Sequence, residues 1–202
     1  MTKAKIRVGF NRSAWRRAFS HVDSYNPDFH EIERNLSLLT AIGLKSERSL
    51  PVIYETEEDQ KVVESILSEQ KKENKKLFAV APGSVWPTKR WPESYYTEFC
   101  RRFSDKNILV VLIGSKEDRD LCHEISGESE NIVNLAGKLN LRQTYYLLRK
   151  CIGILTNDSA PLHLGMAANI SVHAIFGPTV PEFGFAPFGP KSTIFEIHEL
   201  DC

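Results

Sequence analysis

The sequence is sparse in the features that mark several protein classes. Its 202 residues contain only four cysteines, Cys100, Cys122, Cys151 and Cys202, spread far apart with no CxxC pair. That spacing excludes a zinc ribbon or a disulfide framework and reads as reduced thiols in a cytosolic protein. No apolar run approaches the roughly 18 residues of a membrane span, and no apolar stretch of signal-peptide type follows Met1. Net charge is absent as well: 26 Lys and Arg balance 26 Asp and Glu. The chain therefore lacks a general electrostatic footprint for nucleic acid. No G-x-G-x-x-G follows a strand and no Walker A sequence occurs, which disfavours dinucleotide oxidoreductases and P-loop NTPases. No His, Asp or Glu cluster has metal-ligand spacing, and no internal repeat or low-complexity tract appears.

What is present is ordinary globular material, 42% hydrophobic and 26% charged. The length predicts one full domain with an appendage, or two small domains. Residues 1–20 carry Lys3, Lys5, Arg7, Arg12, Arg16 and Arg17 and no acid. This segment reads as a solvated basic stretch, as a surface facing phosphate or anionic lipid, or as a transit peptide. Ile6, Val8 and Phe10 alternate like a short strand, against the last reading. Phe29, Ile32, Leu36 and Leu39 recur at helical spacing over 27–42, with Gly43 suited to the exit. A connector with Pro51 follows. A second helix is predicted over 57–73, with Val62, Val63, Ile66 and Leu67 as its apolar stripe.

Beyond residue 76 short apolar runs alternate with amphipathic segments. The runs are Leu77–Ala81, Ile108–Ile113, Ile132–Leu135, Ile152–Thr156, Val172–Phe176 and Thr193–Ile197. Helical stretches lie between most of them, at 92–103, 117–126, 140–150 and 160–168. Continuous apolar strands alternating with helices imply a parallel sheet covered on both faces. The expected fold class is therefore α/β, a Rossmann-like parallel sheet, over about 57–202. Residues 1–50 cannot bury much surface by themselves, and both ends of the chain read as truncated. Aggregation or dimerisation through Phe29, Leu36 and Leu39 is then expected.

In parallel α/β sheets ligands gather at the carboxyl ends of the strands, so each strand-to-helix turn is a candidate site. The first, Ala81–Pro92, holds Gly83, Ser84, Lys89 and Arg90. It reads either as a phosphate loop of amides, a hydroxyl and a cation, or as a long solvated loop. Trp91 reads as a packing residue. In the second turn, Ser115 suits an N-cap. Glu117 and Asp118 read first as helix-dipole partners and second as carboxylates for ribose hydroxyls. The third reads first as a simple turn and second as a ligand contact, since Gly137 permits close backbone approach and Leu139 could flank a base. The fourth, Thr156–His163, places Asp158, Ser159 and Ala160 at a helix start, with Pro161 in the first turn. His163 follows Ser159 by one helical turn. This is either a capped helix with a packed histidine or a polar site for a sugar and its phosphate. Ser159 and His163 could suggest a hydrolytic pair, but no G-x-S-x-G elbow accompanies them. The fifth, Phe176-Gly177-Pro178-Thr179, opens an aromatic loop that reads as packing or an ordered lid.

Taken in order, Pro82-Gly83-Ser84, Lys89-Arg90-Trp91-Pro92, Gly114-Ser115-Lys116-Glu117-Asp118, Asn134-Leu135-Ala136-Gly137, Thr156-Asn157-Asp158-Ser159 with His163, and Phe176-Gly177-Pro178-Thr179 resemble one family. It is that of the ADP-heptose:lipopolysaccharide heptosyltransferases, glycosyltransferase family 9, and in particular the heptosyltransferase II branch. The likeness is strongest over 77–197 and weaker over 1–50, through Arg7-Val8-Gly9-Phe10-Asn11-Arg12. It implies a GT-B fold of two Rossmann-like domains, of which this chain looks like the C-terminal one plus the last piece of the other. The implied division is a remnant of the acceptor domain at 1–50, a linker at 51–56 and the nucleotide-sugar domain at 57–202.

The resemblance implies inverting transfer of L-glycero-D-manno-heptose from ADP-L-glycero-D-manno-heptose to the lipopolysaccharide inner core, with no metal and no cofactor. By motif, Ser84 and Lys89 would hold the departing diphosphate, Glu117 the adenosine ribose, and Leu139 would lie against adenine. Asp158 would bind heptose hydroxyls, and the amides of Ser159 and Ala160 would face phosphate with His163 nearby. The family's catalytic base is an Asp in a Gly-rich first strand–helix turn that this sequence does not contain, so no catalytic residue is assigned here and turnover by this chain alone is expected to be poor. The implied location is cytoplasmic, with peripheral contact at the inner leaflet. The alternatives are a non-catalytic nucleotide-sugar binding module and a GT-B transferase using another nucleotide-sugar.

Overall fold

The computed structural model describes residues 3–47, 49–70, 75–104, 107–188 and 191–197. The chain divides into two compact units, Met1–Ser49 with Pro181–Ala186, and Leu50–Val180 with Pro187–Cys202. The segment 181–186, expected to run on within the second domain, thus groups with the first unit.

In the first unit, β1 (Val8–Phe10) pairs in parallel with β2 (His21–Asp23), from Val8 opposite His21 to Phe10 opposite Asp23. The second strand is short and largely exposed, without the alternation that would mark it in the sequence. The ring of Phe19 occupies the space beside Gly9, where a Cβ would come within 2.2 Å of it. The helix expected over 27–42 is α1, Glu31–Thr40. His30 sets its start. The imidazole Nδ1 accepts from the Ile32 amide at 3.1 Å, and the His30 amide donates to Glu33 Oε2 at 3.0 Å. This reciprocal cap satisfies amides that the first turn leaves without helical partners. Gly43 adopts φ 78° just past the helix, a conformation that favours glycine.

Arg34 organises the rest of the unit. Its side chain is buried, with the guanidinium against the rings of Tyr25 and Phe185. Nη2 donates to the Phe183 carbonyl at 2.8 Å, Nη1 donates to the Tyr25 hydroxyl, and Nε lies 3.0 Å from Glu31 Oε2. A buried cation is tolerable only with such partners. Phe29 and Leu39 are exposed and Leu36 is partly so.

The second unit opens with α2 (Glu57–Glu69), capped by Thr56 and Asp59; residues 71–73 of the predicted helix lie outside the described residues. Then come β3 (Lys76–Ala81), α3 (Glu93–Phe103), β4 (Ile108–Leu112), α4 (Arg119–Ser126) and β5 (Ile132–Asn134). The unit continues with α5 (Leu141–Arg149), β6 (Cys151–Asn157), α6 (Ala160–Ala167), β7 (Ser171–Ile175) and β8 (Ser192–Phe195). Each element lies within a few residues of its predicted place.

The strands form one six-stranded sheet, every pair parallel, in the order β5-β4-β3-β6-β7-β8. Counted from β3 this is 3-2-1-4-5-6, the doubly wound order in which the chain reverses direction across the sheet between its first and fourth strands. Phe78, Val80, Val110, Leu112 and Ile132 bury one face against Tyr96, Cys100, Cys122 and Ile125 of α3 and α4. On the other face α6 comes so close that a Cβ on Gly165 would stand 2.7 Å from Ile154 Cγ2 and 3.0 Å from Val172 Cγ2. Cys100, Cys122 and Cys151 are buried free thiols, each pushed by burial up to about 12. Cys202 lies outside the described residues. No helix among the described residues is long and apolar enough to cross a membrane.

Candidate functional site

A parallel sheet of this order opens a crevice where neighbouring connections leave in opposite directions, here beyond the ends of β3 and β6. Asn157 closes β6 and is fully buried. A buried amide must spend both its donor and its acceptor. Its Nδ2 donates to the Pro82 carbonyl at 2.9 Å, and its Oδ1 accepts from the Trp91 amide and from the Tyr96 hydroxyl, each at 2.9 Å. One side chain thereby clips both ends of the loop 82–91. Burial raises the Tyr96 phenol far above its ordinary pKa, so the hydroxyl acts only as a neutral donor. Within the loop, the Arg90 Nε and Nη2 donate to the Ser84 carbonyl at 2.9 and 2.7 Å. Arg90 thus braces the turn, and Trp91 packs edge-on against Tyr96.

That bracing presents Lys89, at the end of a short 3-10 turn, to the end of β6. Lys89 Nζ lies 2.6 Å from Asp158 Oδ2, with side-chain exposures of 24% and 11%. Thr179 Oγ1 donates to the same oxygen at 2.8 Å, and the Asp158 amide donates to the Ile175 carbonyl at 3.1 Å. Ser159 follows in extended conformation as the N-cap of α6, but its side chain does not cap the helix. Its hydroxyl lies instead 3.4 Å from Thr156 Oγ1. Among the described residues, the amides of Ser159 and Ala160 donate to no protein acceptor. His163 is partly buried one turn further on.

The turn after β4 answers which carboxylate caps. Asp118 Oδ2 accepts from both the Ser115 amide and the Ser115 hydroxyl at 2.8 Å, while Glu117 stays exposed. The Glu117 carboxyl is held below the usual range, first by its own backbone amide. Asp118 also fills the space beside Gly83, where a Cβ would fall 2.2 Å from Oδ1, so the turns after β3 and β4 abut. The turn after β5 joins them: the Gly137 amide donates to the Gly114 carbonyl at 2.9 Å, and Arg119 Nη2 donates to the Gly137 carbonyl at 3.1 Å. Leu139 stands half-buried just before α5.

Sheet order re-sorts the candidates. Along the carboxyl edge they run Leu139, Glu117, then Ser84 and Lys89, then Asp158, Ser159, Ala160 and His163. Lys89 and Asp158 touch, while Glu117 and Leu139 stand off from them along the row. Beside Lys89 a crevice of about 300 Å³ is lined by Trp91, Phe176 and Phe195 among others. Among the described residues no three His, Cys, Asp or Glu side chains group as a metal site. Sequence reasoning passed over Asn157 as a clip and Thr179 as a partner of Asp158. The first had a signal, since an amide ending an apolar strand must find buried partners. The second bond spans 21 residues of chain and had none.

This sheet with its edge of polar turns is a Rossmann-like domain of the GT-B type, the class expected from the sequence. The family model for glycosyltransferase family 9 (heptosyltransferase) matches residues 1–202, and the chain belongs to that family. It is 33% identical over 129 residues to lipooligosaccharide heptosyltransferase 2 of Haemophilus influenzae, covering 61% of this chain and 37% of that protein. It is 34% identical over 127 residues to lipopolysaccharide heptosyltransferase 2 of Escherichia coli, covering 60% and 36%. The solved E. coli ADP-heptose LPS heptosyltransferase II superposes with TM-score 0.79 and 26% identity, over 95% of this chain and 61% of that one. The matched stretch thus spans little more than a third of the curated relatives.

Proposed function

We propose that this chain supplies the donor-binding half of a heptosyltransferase, which moves L-glycero-D-manno-heptose from its ADP conjugate to the lipopolysaccharide inner core with inversion and without a metal. The observation that carries the proposal is the cation–carboxylate pair Lys89–Asp158 across the strand reversal, beside amides with no protein acceptor at the start of α6. The row along the sheet edge supports it. With strands about 4.8 Å apart, the turns after β5 and β6 are separated by roughly 14 Å, the scale of an extended nucleotide-sugar. Leu139 then faces the base, Glu117 the ribose, Ser84 and Lys89 the diphosphate, and Asp158 the sugar hydroxyls. Ser159 and Ala160 offer amides to phosphate, with His163 beside them. The names of the relatives supply the donor and the acceptor class.

In the reaction the acceptor oxygen attacks the anomeric carbon, and the bond from that carbon to the diphosphate breaks. The electron pair leaves with ADP. Charge growing on the leaving phosphate is met by Lys89, whose remaining N–H groups are not taken by Asp158, and by the α6 amides. The acceptor's proton goes to a base that we do not assign to any residue of this chain.

Titration calorimetry with ADP, UDP and GDP tests the assignment. ADP should bind best, and Lys89→Ala should weaken it by about 10- to 100-fold, the worth of a charge-assisted contact. Binding of ADP that ignores the substitution would remove Lys89 from the site, and a preference for UDP would favour a GT-B transferase using another nucleotide-sugar. The proposed setting is the cytoplasmic face of the inner membrane. Peripheral contact there is supported by exposed Arg12, Arg16 and Arg17 around Trp15, which is 71% exposed.

A further inference from the structure

We infer that Thr179 is a positioning residue for sugar recognition: it orients the Asp158 carboxylate so that one oxygen holds Lys89 and the other is presented to a hydroxyl of the donor sugar. The inference rests on the donor-site reading above.

Both donors fall on the same oxygen. Lys89 Nζ and the Thr179 hydroxyl reach Oδ2 at 2.6 and 2.8 Å. Oδ1 accepts no hydrogen bond among the described residues, although the Asp158 side chain is only 11% exposed. A carboxylate drawn that far from water gains from a donor on each oxygen, and a ligand hydroxyl is the donor this arrangement leaves room for. Lys89 alone cannot fix which oxygen faces outward. Its flexible four-carbon stem follows the carboxylate through a rotation that exchanges Oδ1 and Oδ2. Thr179 can, because its β-branched side chain is stiff about χ1 and its hydroxyl must donate to a carboxylate. The residue stands just past β7, and the Asp158 amide is tied to the end of the same strand through Ile175. Main chain and side chain of Asp158 are thus referred to one strand end. The hydroxyls of a nucleoside diphosphate are those of its ribose, assigned to Glu117 further along the row, so the effect at Oδ1 belongs to the sugar-bearing ligand.

The test is calorimetry on the whole chain with ADP and with ADP-L-glycero-D-manno-heptose, comparing wild type with Thr179→Val, Thr179→Ala and Thr179→Ser. Thr97→Val, on the exposed side of α3, serves as control. Thermal unfolding checks that each variant is folded. Thr179→Val and Thr179→Ala should weaken the nucleotide-sugar by about 5- to 10-fold, less than the loss of a whole hydrogen bond to a charged group because the carboxylate is misdirected and not removed, while ADP changes by less than about 2-fold. Thr179→Ser keeps the hydroxyl without the stiff branch and should restore part of the loss, and Thr97→Val should change neither ligand. Equal losses for both ligands would show a merely structural role and overturn the inference. An unchanged nucleotide-sugar affinity in the folded valine variant would overturn it too, as would a wild type that gains nothing from the sugar. A folded wild type that binds neither ligand would instead refute the donor-site reading on which it rests.

Discussion

Asn157→Leu is the substitution on which the site's architecture depends most directly. Leucine fills nearly the same volume, so the cavity term is small and the polar term dominates. Removing the amide leaves the Pro82 carbonyl, the Trp91 amide and the Tyr96 hydroxyl without the bonds they make at 2.9 Å. Each orphaned buried group costs about 1–3 kcal/mol. Trp91 is only half-buried and recovers part of its loss through water. The expected destabilisation is therefore about 3–5 kcal/mol, a large share of the roughly 5–15 kcal/mol by which a domain is stable. Urea unfolding measures it, with hydrogen exchange at the Trp91 amide as the local probe. That amide should exchange faster by orders of magnitude, and ADP affinity should fall with it, because the loop carrying Lys89 loses the anchor at both its ends. A destabilisation below about 1 kcal/mol with the Trp91 amide still protected would refute the reasoning.

Stability should also depend on pH through His173, which is packed with its ring centroid 6.1 Å from that of Phe78 and 6.4 Å from that of Phe195, and whose pKa burial lowers from 6.5. The unfolded chain takes up this proton and the folded one resists it. The His173 contribution is thus complete above about pH 6.5 and is lost as pH falls through the lowered folded value. Unfolding midpoints between pH 7 and 5 should drop in wild type and flatten in His173→Phe; equal slopes would show that His173 is not the cause. For the membrane, co-sedimentation with vesicles rich in anionic lipid should exceed that with neutral vesicles and fall when Arg12, Arg16 and Arg17 are replaced by Gln. Binding indifferent to lipid charge would sink the peripheral-contact proposal.

The fold was largely readable because its signals are local. Leu109–Ile113 is apolar throughout, as a strand covered on both faces must be. The starts of α2 and α5 are written in Thr56 with Asp59 and in Asn140 with Gln143. Boundaries moved where a cap was not recognisable by type. His30 performs the work of a Ser or Asp at α1, and the start falls at Glu31. The strand His21–Asp23 escaped because its residues are largely exposed and carry no period. In the turn after β4 the residues allowed Glu117 and Asp118 the same role, and only the bonds from Ser115 to Asp118 separated them.

By itself, the sequence determined the class of the second unit, the helix and strand positions within a few residues, and the turns in which polar chemistry collects. Hydrophobic period and capping are read within a window of about ten residues. Tertiary structure alone decided which turns meet. Strand order brings residues 89 and 158 into contact and sets 139 and 117 on the far side of 84, a permutation that chain order does not contain. It also decided that segment 181–186 packs with the first unit through Arg34. The reason is that hydrogen bonds such as those from Asn157 to Pro82 and from Trp91 to Asn157 join groups 75 and 66 residues apart. Such bonds form only once folding brings the partners together, and the full burial of Asn157 obliges its amide to use them.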